Sequence, residues 1–361
     1  MSSMNLLLVE DDEQDAKLCQ NAIEDFMEEH QCNIKLELAR TVNDAIKCLS
    51  NSYYDGAILD MRLDAQGNEG NQVIEQIKSN LRRIPVIIMT GTPDVADQHG
   101  FPLISLNKKG DITYNDIIKS LWEIYKTGIT KIMGGKGEIE KNLSKIFIDN
   151  LLPQRSSWIK YADKDPERSE KALLRHALNH LSNILDGDMQ KCYPEELYIY
   201  PPISTRISTG CIVKKRDLNE FYIVMNPACD LAERQNGNCN TDRALVAKID
   251  FEEEYLNEEL LKKMKNNPEK EELLPKEKTS AISLARNHKM FYYHWLPKTD
   301  FFCGGFINFR RISTYTEEDF QSIFQEPTLQ ISSPFLKDII SRFSSYYARQ
   351  GQPDIDHTQV K

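Results

Sequence analysis

Polar side chains stand at or near the ends of apolar runs in the first third of this 361-residue sequence, and their types suit one kind of chemistry. They are two acids after the first run, an acid after the third, a hydroxyl after the fourth and a lysine after the fifth: Glu10 and Asp11, Asp60, Thr90, and Lys108. Carboxylates are ligands that Mg2+ prefers. A hydroxyl and an ammonium would give a transferred phosphoryl group a donor and a counter-charge, and an Asp carboxylate can itself accept that group.

These side chains need a scaffold that brings the ends of separate apolar runs together. Five short runs alternate with segments of helical spacing, of which the second alternates apolar and polar residues and the other four are mostly apolar: Met4–Val9, Ile34–Ala39, Gly56–Leu59, Pro85–Met89 and Leu103–Leu106. Short continuous apolar strands between helices are typical of a parallel, doubly wound sheet. The carboxyl ends of such strands meet at one crevice, so the sequence predicts that the polar side chains lie together there.

Four motifs in this order, LLLVEDD, AILDMRL, VIIMTGT and SLNKKGD, resemble the receiver domain of two-component response regulators over about residues 4–125. The resemblance implies a flavodoxin-like α/β fold with a five-stranded parallel sheet. It implies that Asp60 accepts a phosphoryl group from a sensor histidine kinase with Mg2+ as cofactor. It also assigns roles around Asp60: Glu10, Asp11, Asp60 and the backbone carbonyl of Arg62 as metal ligands, Thr90 as the switch hydroxyl, and Lys108 as the lysine that pairs with the phosphoryl group.

Five departures from the family pattern concern switching more than phosphorylation. Ser105 stands where an aromatic switch residue is common, and Lys109 replaces the usual proline. No Met-Pro pair follows the acceptor, and the loop after it looks longer than usual. Only 18 positions separate Thr90 from Lys108, so we expect the helix between them to be trimmed or irregular.

The sequence pattern divides the chain into three parts. A receiver domain at 1–126 is followed by a helical connector at 127–190 and by a β-rich α+β domain at 191–361, whose strands are short and rich in aromatic and β-branched residues. A Glu- and Lys-rich insertion at 251–280 is expected to be an exposed helical excursion or a mobile segment. The pattern from Gly210 to Pro227 weakly resembles the opening strands of small SH3-like barrels such as the PemK/MazF toxin fold.

The charge balance argues against nucleic acid as a partner. Lys and Arg number 45 against 55 Asp and Glu, giving a net charge of −10, and no helix-turn-helix with a basic recognition helix follows residue 190. No apolar run approaches the roughly 18 residues of a membrane helix, and the start of the sequence lacks the basic region of a signal peptide. We therefore expect a soluble, cytoplasmic protein.

These observations predict a response regulator whose C-terminal domain does not bind DNA and acts through protein partners. No enzymatic activity is expected beyond the phosphorylation and dephosphorylation of the receiver. One form of this role is a phosphate sink that drains a kinase in an anti-phage two-component-like system and so restrains an effector. The alternatives are a nuclease- or hydrolase-like effector regulated by the receiver, or a nucleic-acid-binding barrel. A homodimer is a further option.

Two smaller constellations have both a structural and a chemical interpretation. His176 and His180 share a helix face, where they could bind a metal, offer a phosphotransfer histidine or simply fill an interface. Cys229 and Asp230 follow a strand, as a reactive thiol or as a buried thiol beside a capping acid. A zinc site is conceivable but has no knuckle spacing; its candidate ligands are Cys211, Cys229, Cys239 and Cys303 with His288 or His294.

Overall fold

A computed structural model of the chain divides it into two compact units, Met1–Met189 and Gln190–Lys361. The structure describes residues 3–63, 69–91, 103–185, 191–232, 234, 239–286, 290–349 and 358. Among these residues, no helix combines the length and the apolar character that crossing a membrane requires.

The first unit contains a five-stranded sheet in which every pair of neighbours is parallel. Its strands are β1 (Met4–Val9), β2 (Ile34–Ala39), β3 (Gly56–Leu59), β4 (Val86–Thr90) and β5 (Leu103–Lys108). Their order is β2-β1-β3-β4-β5, which is the flavodoxin-like order, so the predicted fold is confirmed. All four residues of β3 are buried, which explains why this strand is a continuous apolar run.

Helices cover both faces of this sheet: α1 (Glu13–His30), α2 (Val42–Asn51), α3 (Gly70–Ser79) and α4 (Tyr114–Lys126). Alternate side chains of a strand point to opposite faces, so β1 contributes to two cores. Leu6 and Leu8 lie in the core that contains residues of α1 and α4. Leu7 and Val9 lie in the core that contains residues of α2 and α3. The helix expected to be trimmed between β4 and β5 lies outside the described residues.

The helices that follow α4 belong to the first unit. They are α5 (Ile129–Met133), α6 (Glu138–Ile146), a π-helical turn and a 3-10 turn (Phe147–Leu151 and Leu152–Gln154), α7 (Arg155–Ala162) and α8 (Pro166–Leu185). The Thr130 hydroxyl donates to Asp55 Oδ1 at 2.8 Å, directly before β3 begins. Gly135 lies against the ring of Tyr53, where an added Cβ would stand 1.8 Å from a ring carbon. The start of the predicted connector is therefore docked onto the sheet end opposite to the predicted site.

The second unit contains a seven-stranded sheet in which every pair of neighbours is antiparallel. Its strands are β6 (Tyr198–Ile199), β7 (Cys211–Lys214), β8 (Phe221–Val224), β9 (Arg243–Asp250), β10 (Tyr293–Leu296), β11 (Gly305–Thr316) and β12 (Leu329–Ile331), in the order β10-β11-β9-β8-β7-β12-β6. The predicted β-rich C-terminal domain is thus confirmed.

Five helices accompany this sheet: α9 (Ala228–Leu231), α10 (Glu252–Met264), α11 (Pro275–Arg286), α12 (Glu317–Ile323) and α13 (Ser333–Tyr347). The charged segment 251–280 supplies α10 and part of α11, and it is anchored to the sheet rather than merely exposed. Tyr255 is fully buried against Tyr293 and Phe306, and its hydroxyl donates to Ala281 O at 2.9 Å. Because the segment is rich in Glu and Lys, the sequence does not indicate that Tyr255 is buried.

Candidate functional site

Three of the predicted acids meet at the carboxyl ends of β1 and β3. Ligand oxygens of Glu10, Asp11 and Asp60 all lie within 4.8 Å of one another. Glu10 and Asp60 are buried and Asp11 is exposed. β1 and β3 are neighbouring strands. Their hydrogen bonding continues one residue past the end of β3, where Asp60 N donates to Val9 O at 2.9 Å. The sheet therefore sets the spacing of the acids, as the sequence predicts for a crevice of this kind.

The third acid of the Glu-Asp-Asp run has a different role. Asp12 caps α1: its Oδ1 accepts from Gln14 N at 2.7 Å and from Asp15 N at 3.0 Å. These backbone hydrogen bonds lower the pKa of Asp12. The cap fixes the start of α1 beside the acidic cluster, and it leaves Glu10 and Asp11 as the members of the run that face Asp60.

The structure brings Lys109 to the acids, and it does not bring Lys108. Lys109 Nζ lies 2.8 Å from Glu10 Oε2, 2.5 Å from Asp15 Oδ2 and 2.7 Å from Asp60 Oδ2. Lys108 is exposed and forms no ion pair with any of the residues that the structure describes. Consecutive side chains along an extended chain point to opposite sides, so one lysine of the pair faces the crevice and the other faces away.

The register of β5 decides which lysine points inward. Lys108 is the partner of Thr90 in the ladder, and Lys109 N donates to Thr90 O at 2.9 Å. Thr90 itself is fully buried at the end of β4. Two adjacent lysines are indistinguishable in composition, so only the register of the strand could have separated them.

The site is short of positive charge. The ammonium of Lys109 contacts three carboxylates, those of Glu10, Asp15 and Asp60, and the carboxylate of Asp11 lies close to those of Glu10 and Asp60. Burial raises the pKa of Glu10 to about 7, although the hydrogen bond and charge of Lys109 act to lower it. Burial alone would lower the pKa of Lys109, but its hydrogen bonds to the three carboxylates raise it overall. A hard divalent cation fits this donor set, because it would bind oxygen ligands and favour the ionised form of Glu10.

The chain after the acceptor folds back over its carboxylate. Arg62 N donates to Asp60 Oδ1 at 3.1 Å, and Gly70 N donates to Met61 O at 3.0 Å. A Cβ at Gly70 would lie 2.7 Å from Asp60 O and 2.8 Å from Met61 Cα. The start of α3 therefore packs directly on the backbone of the acceptor, and Gly70 is a residue of the site that sequence reasoning did not single out. Residues 64–68, where the longer loop is expected, lie outside the described residues.

The cysteines do not assemble a metal site in the part of the chain that the structure describes. There, Glu10, Asp11 and Asp60 (the acidic trio) are the one group of three or more ligand side chains close enough to share an ion. Cys211 is buried, whereas Cys229, Cys239 and Cys303 are exposed. Cys229 Sγ lies 3.6 Å from Asp230 Oδ1. Because Cys229 is exposed, this thiol is not a core residue. His288 lies outside the described residues.

Comparison with known proteins gives one family and a set of similar folds. Residues 6–101 match the family model described as "Response regulator receiver domain". No curated protein matches the chain. The signal receiver domain of a putative LuxO repressor protein from Vibrio parahaemolyticus is 24% identical, with 37% of this chain and 100% of that chain covered and a TM-score of 0.31. The N-terminal domain of a response regulator/sensory box/GGDEF 3-domain protein from Carboxydothermus hydrogenoformans is 21% identical, with 35% and 98% covered and a TM-score of 0.29.

These matches concern the first part of the chain. A CheY-like receiver domain from Methylobacillus flagellatus is 17% identical, with 34% of this chain and 99% of that chain covered and a TM-score of 0.28. The weak resemblance of Gly210–Pro227 to SH3-like barrels gains no support from them. Residues 6–101 therefore match a response regulator receiver domain, and the sheet order and the acidic crevice of the N-terminal part agree with that match.

Proposed function

We propose that this chain is a response regulator that accepts a phosphoryl group on Asp60 from a sensor histidine kinase. The observation that carries the proposal is the position of the Asp60 carboxylate, which lies in the acidic trio and 2.7 Å from the Lys109 ammonium. Mg2+ held by Glu10, Asp11, Asp60 and the backbone carbonyl of Arg62 would shield the negative charge of the incoming phosphoryl group.

The chemistry assigned to Asp60 is nucleophilic. A carboxylate oxygen of Asp60 attacks the phosphorus, the P–N bond of the phosphohistidine breaks, and the imidazole nitrogen keeps the electron pair. The product is an acyl phosphate on Asp60. We assign to Lys109 the counter-charge role expected for Lys108, because among the described residues it is the Lys109 ammonium that reaches Asp60. Thr90, buried at the end of β4, is the hydroxyl assigned to the phosphoryl group.

Phosphorylation of Asp60 would change the contacts of Lys109. Its ammonium is shared among three carboxylates, and a phosphoryl group on Asp60 is a stronger competitor for it than Glu10 or Asp15. Movement of Lys109 toward that group would alter the surface at the ends of β4 and β5, which is the docking surface that we propose for regulation.

For the second unit we propose binding to protein partners rather than to nucleic acid. Several basic side chains of this unit form ion pairs with acidic side chains of the same chain. Lys215 and Lys248 pair with Glu220, and Arg310 and Arg311 pair with Glu258. The phosphates of a nucleic acid would have to compete with these carboxylates for the basic side chains, so the sheet is poorly suited to bind nucleic acid.

A cavity of this unit supports the same preference. It measures about 730 Å3 and lies beside the start of β9. Its charged lining consists of two arginines and two acids: Arg206, Arg243, Asp242 and Glu317. A cavity with balanced charge does not concentrate a polyanion, whereas it suits a peptide segment with both polar and apolar side chains.

Phosphorylation of the full chain by acetyl phosphate tests the main proposal. With Mg2+ present, the wild type and the exposed control Asp25→Asn should form an acid-stable, hydroxylamine-sensitive acyl phosphate, and Asp60→Asn should form none. Removal of Mg2+ by a chelator should abolish labelling of the wild type. Labelling of Asp60→Asn at the wild-type level would refute the assignment of the acceptor.

The phosphate-sink role in an anti-phage two-component-like system has its own test. A sink should remove the phosphoryl group from a phosphorylated kinase and release inorganic phosphate, without cleaving nucleic acid and without a mobility shift of RNA or DNA. Cleavage by the full chain that depends on Asp60 would favour the effector-enzyme alternative. A salt-sensitive shift would favour the nucleic-acid-binding alternative.

A further inference from the structure

Two histidines of α8 form a cluster that phosphorylation does not use. His176 and His180 lie one helical turn apart, and their Nε2 atoms are 3.3 Å from each other. The ring centroids are 4.6 Å apart, with an angle of 74° between the ring planes. Both side chains are half-buried, so the pair is reachable from solvent. Trp158 of α7 lies beside it, with its ring centroid 5.7 Å from that of His176.

A hydrogen bond is an incomplete account of this arrangement. In a linear N–H···N bond the two rings extend away from each other, so their centroids are separated by the nitrogen distance plus a ring radius on each side. The centroids here are only 1.3 Å farther apart than the nitrogens (4.6 against 3.3 Å), which is too little for rings placed end to end. The two rings are therefore not placed end to end, and rotation about their side-chain bonds would turn both nitrogens toward one ion.

The separation of the nitrogens matches a tetrahedral metal. If each Nε2 lies about 2.05 Å from a shared ion, as in zinc–imidazole bonds, a separation of 3.3 Å corresponds to an N–metal–N angle of about 107°. A tetrahedral ion requires about 109°, whereas an octahedral ion with its angle of about 90° would bring the nitrogens to about 2.9 Å. The separation of the nitrogens thus already matches a tetrahedral ion, and turning the two rings toward a shared ion requires side-chain rotation but no change in the helix.

We propose that His176 and His180 form a two-ligand chelating site for Zn2+ on α8, with the remaining positions open to water or to a ligand from outside the chain. Two imidazoles without a carboxylate select a borderline-soft transition metal and not Mg2+. The acidic trio has the opposite preference. The two sites therefore bind different ions, and this proposal does not depend on phosphorylation of Asp60.

Competition with a chromophoric zinc indicator tests the site in the full chain, with excess Mg2+ present to occupy the acidic trio. The wild type should take one Zn2+ that the double variant His176→Gln/His180→Gln binds at least tenfold more weakly. Each single variant should also lose most of the affinity, because one imidazole cannot chelate. The control His30→Ala removes an imidazole from α1 and should leave binding unchanged.

Two further readouts separate this site from the exposed cysteines. Co2+ bound to the wild type should give tetrahedral d–d absorption without the strong near-ultraviolet band of a thiolate ligand, and the double variant should lose the d–d absorption. Cu2+ should quench the fluorescence of Trp158 in the wild type more than in the double variant. Equal zinc affinity in wild type and double variant, or absence of zinc binding by the wild type, would overturn the proposal.

Discussion

Replacing Lys109 by alanine should lower the stability of the first unit, whereas the same replacement of its neighbour Lys108 should have little effect. The Lys109 ammonium contacts three carboxylates, and its removal leaves Glu10 and Asp60 without the cation that they contact. Their side chains are only 2% and 7% exposed, so water cannot replace the lost partner well. Lys108 is exposed, and its removal changes only a surface charge.

The burial of the partners sets the size of the effect. Breaking a buried ion pair costs about 3–5 kcal/mol, and breaking an exposed one costs less than about 1 kcal/mol. Lys109 is 23% exposed and Asp15 is 28% exposed, which places this site between the two limits, at about 2–3 kcal/mol. For a unit of this size the loss corresponds to a fall in Tm of roughly 5–10 °C. Lys108→Ala should stay within about 0.5 kcal/mol of the wild type.

Thermal unfolding of both variants, followed by circular dichroism with and without Mg2+, measures this difference. Mg2+ should restore part of the stability of Lys109→Ala, because a bound cation supplies the missing counter-charge. The reasoning fails if the two lysine variants lose equal stability, or if Lys109→Ala matches the wild type in the absence of Mg2+.

Two other predictions concern a glycine and a carboxylate. Gly70→Ala should lower Tm and slow phosphorylation because its Cβ would stand 2.7 Å from Asp60 O, and Gly91→Ala, whose Cβ meets nothing within 4 Å, should leave Tm unchanged; equal effects would contradict the packing argument. For Glu220, burial would raise the pKa, but hydrogen bonds from Lys248, Lys215 and Tyr222 lower it from 4.5 to about 2. Its contribution to stability is thus present above about pH 4.5 and lost as the pH falls toward 2, so urea unfolding should show that the deficit of Glu220→Gln shrinks between pH 5 and 2; a deficit independent of pH would count against this pairing.

The fold of the first unit follows from its sequence because β1, β3 and β4 are nearly continuous apolar runs and β2 alternates apolar with polar residues. Burial on both faces removes polar residues from β3 and β4, so the pattern of these strands is unambiguous. The second unit is harder because its strands are short and one of them is easily missed. β12 (Leu329–Ile331) has three residues, too few to establish a period, yet it pairs with both β6 and β7.

The carboxylates of the candidate site lie together as the sequence predicts, whereas the lysine that reaches them is Lys109 and not Lys108. Glu10 and Asp60 each follow a buried strand directly, so their place at the crevice depends only on where the strand ends. The choice between Lys108 and Lys109 depends on a single-residue register, which reverses the side to which a side chain points. Asp15 was missed because its contact with Lys109 depends on how α1 is capped by Asp12.

The strand β3 carries an aspartate at each end, and this arrangement bears on how the two ends of the receiver communicate. Asp60 lies in the acidic crevice, and Asp55 accepts hydrogen bonds from Thr130 of α5 and from Asn5 N. Five residue steps along a strand span about 16 Å, too far for any side chain to contact both ends. β3 is buried on both faces and hydrogen-bonded to β1 and β4, so a shift of either aspartate would be transmitted to the other through this strand. A coupling between Asp60 and the contact of Thr130 with Asp55 would therefore pass through the four residues of β3.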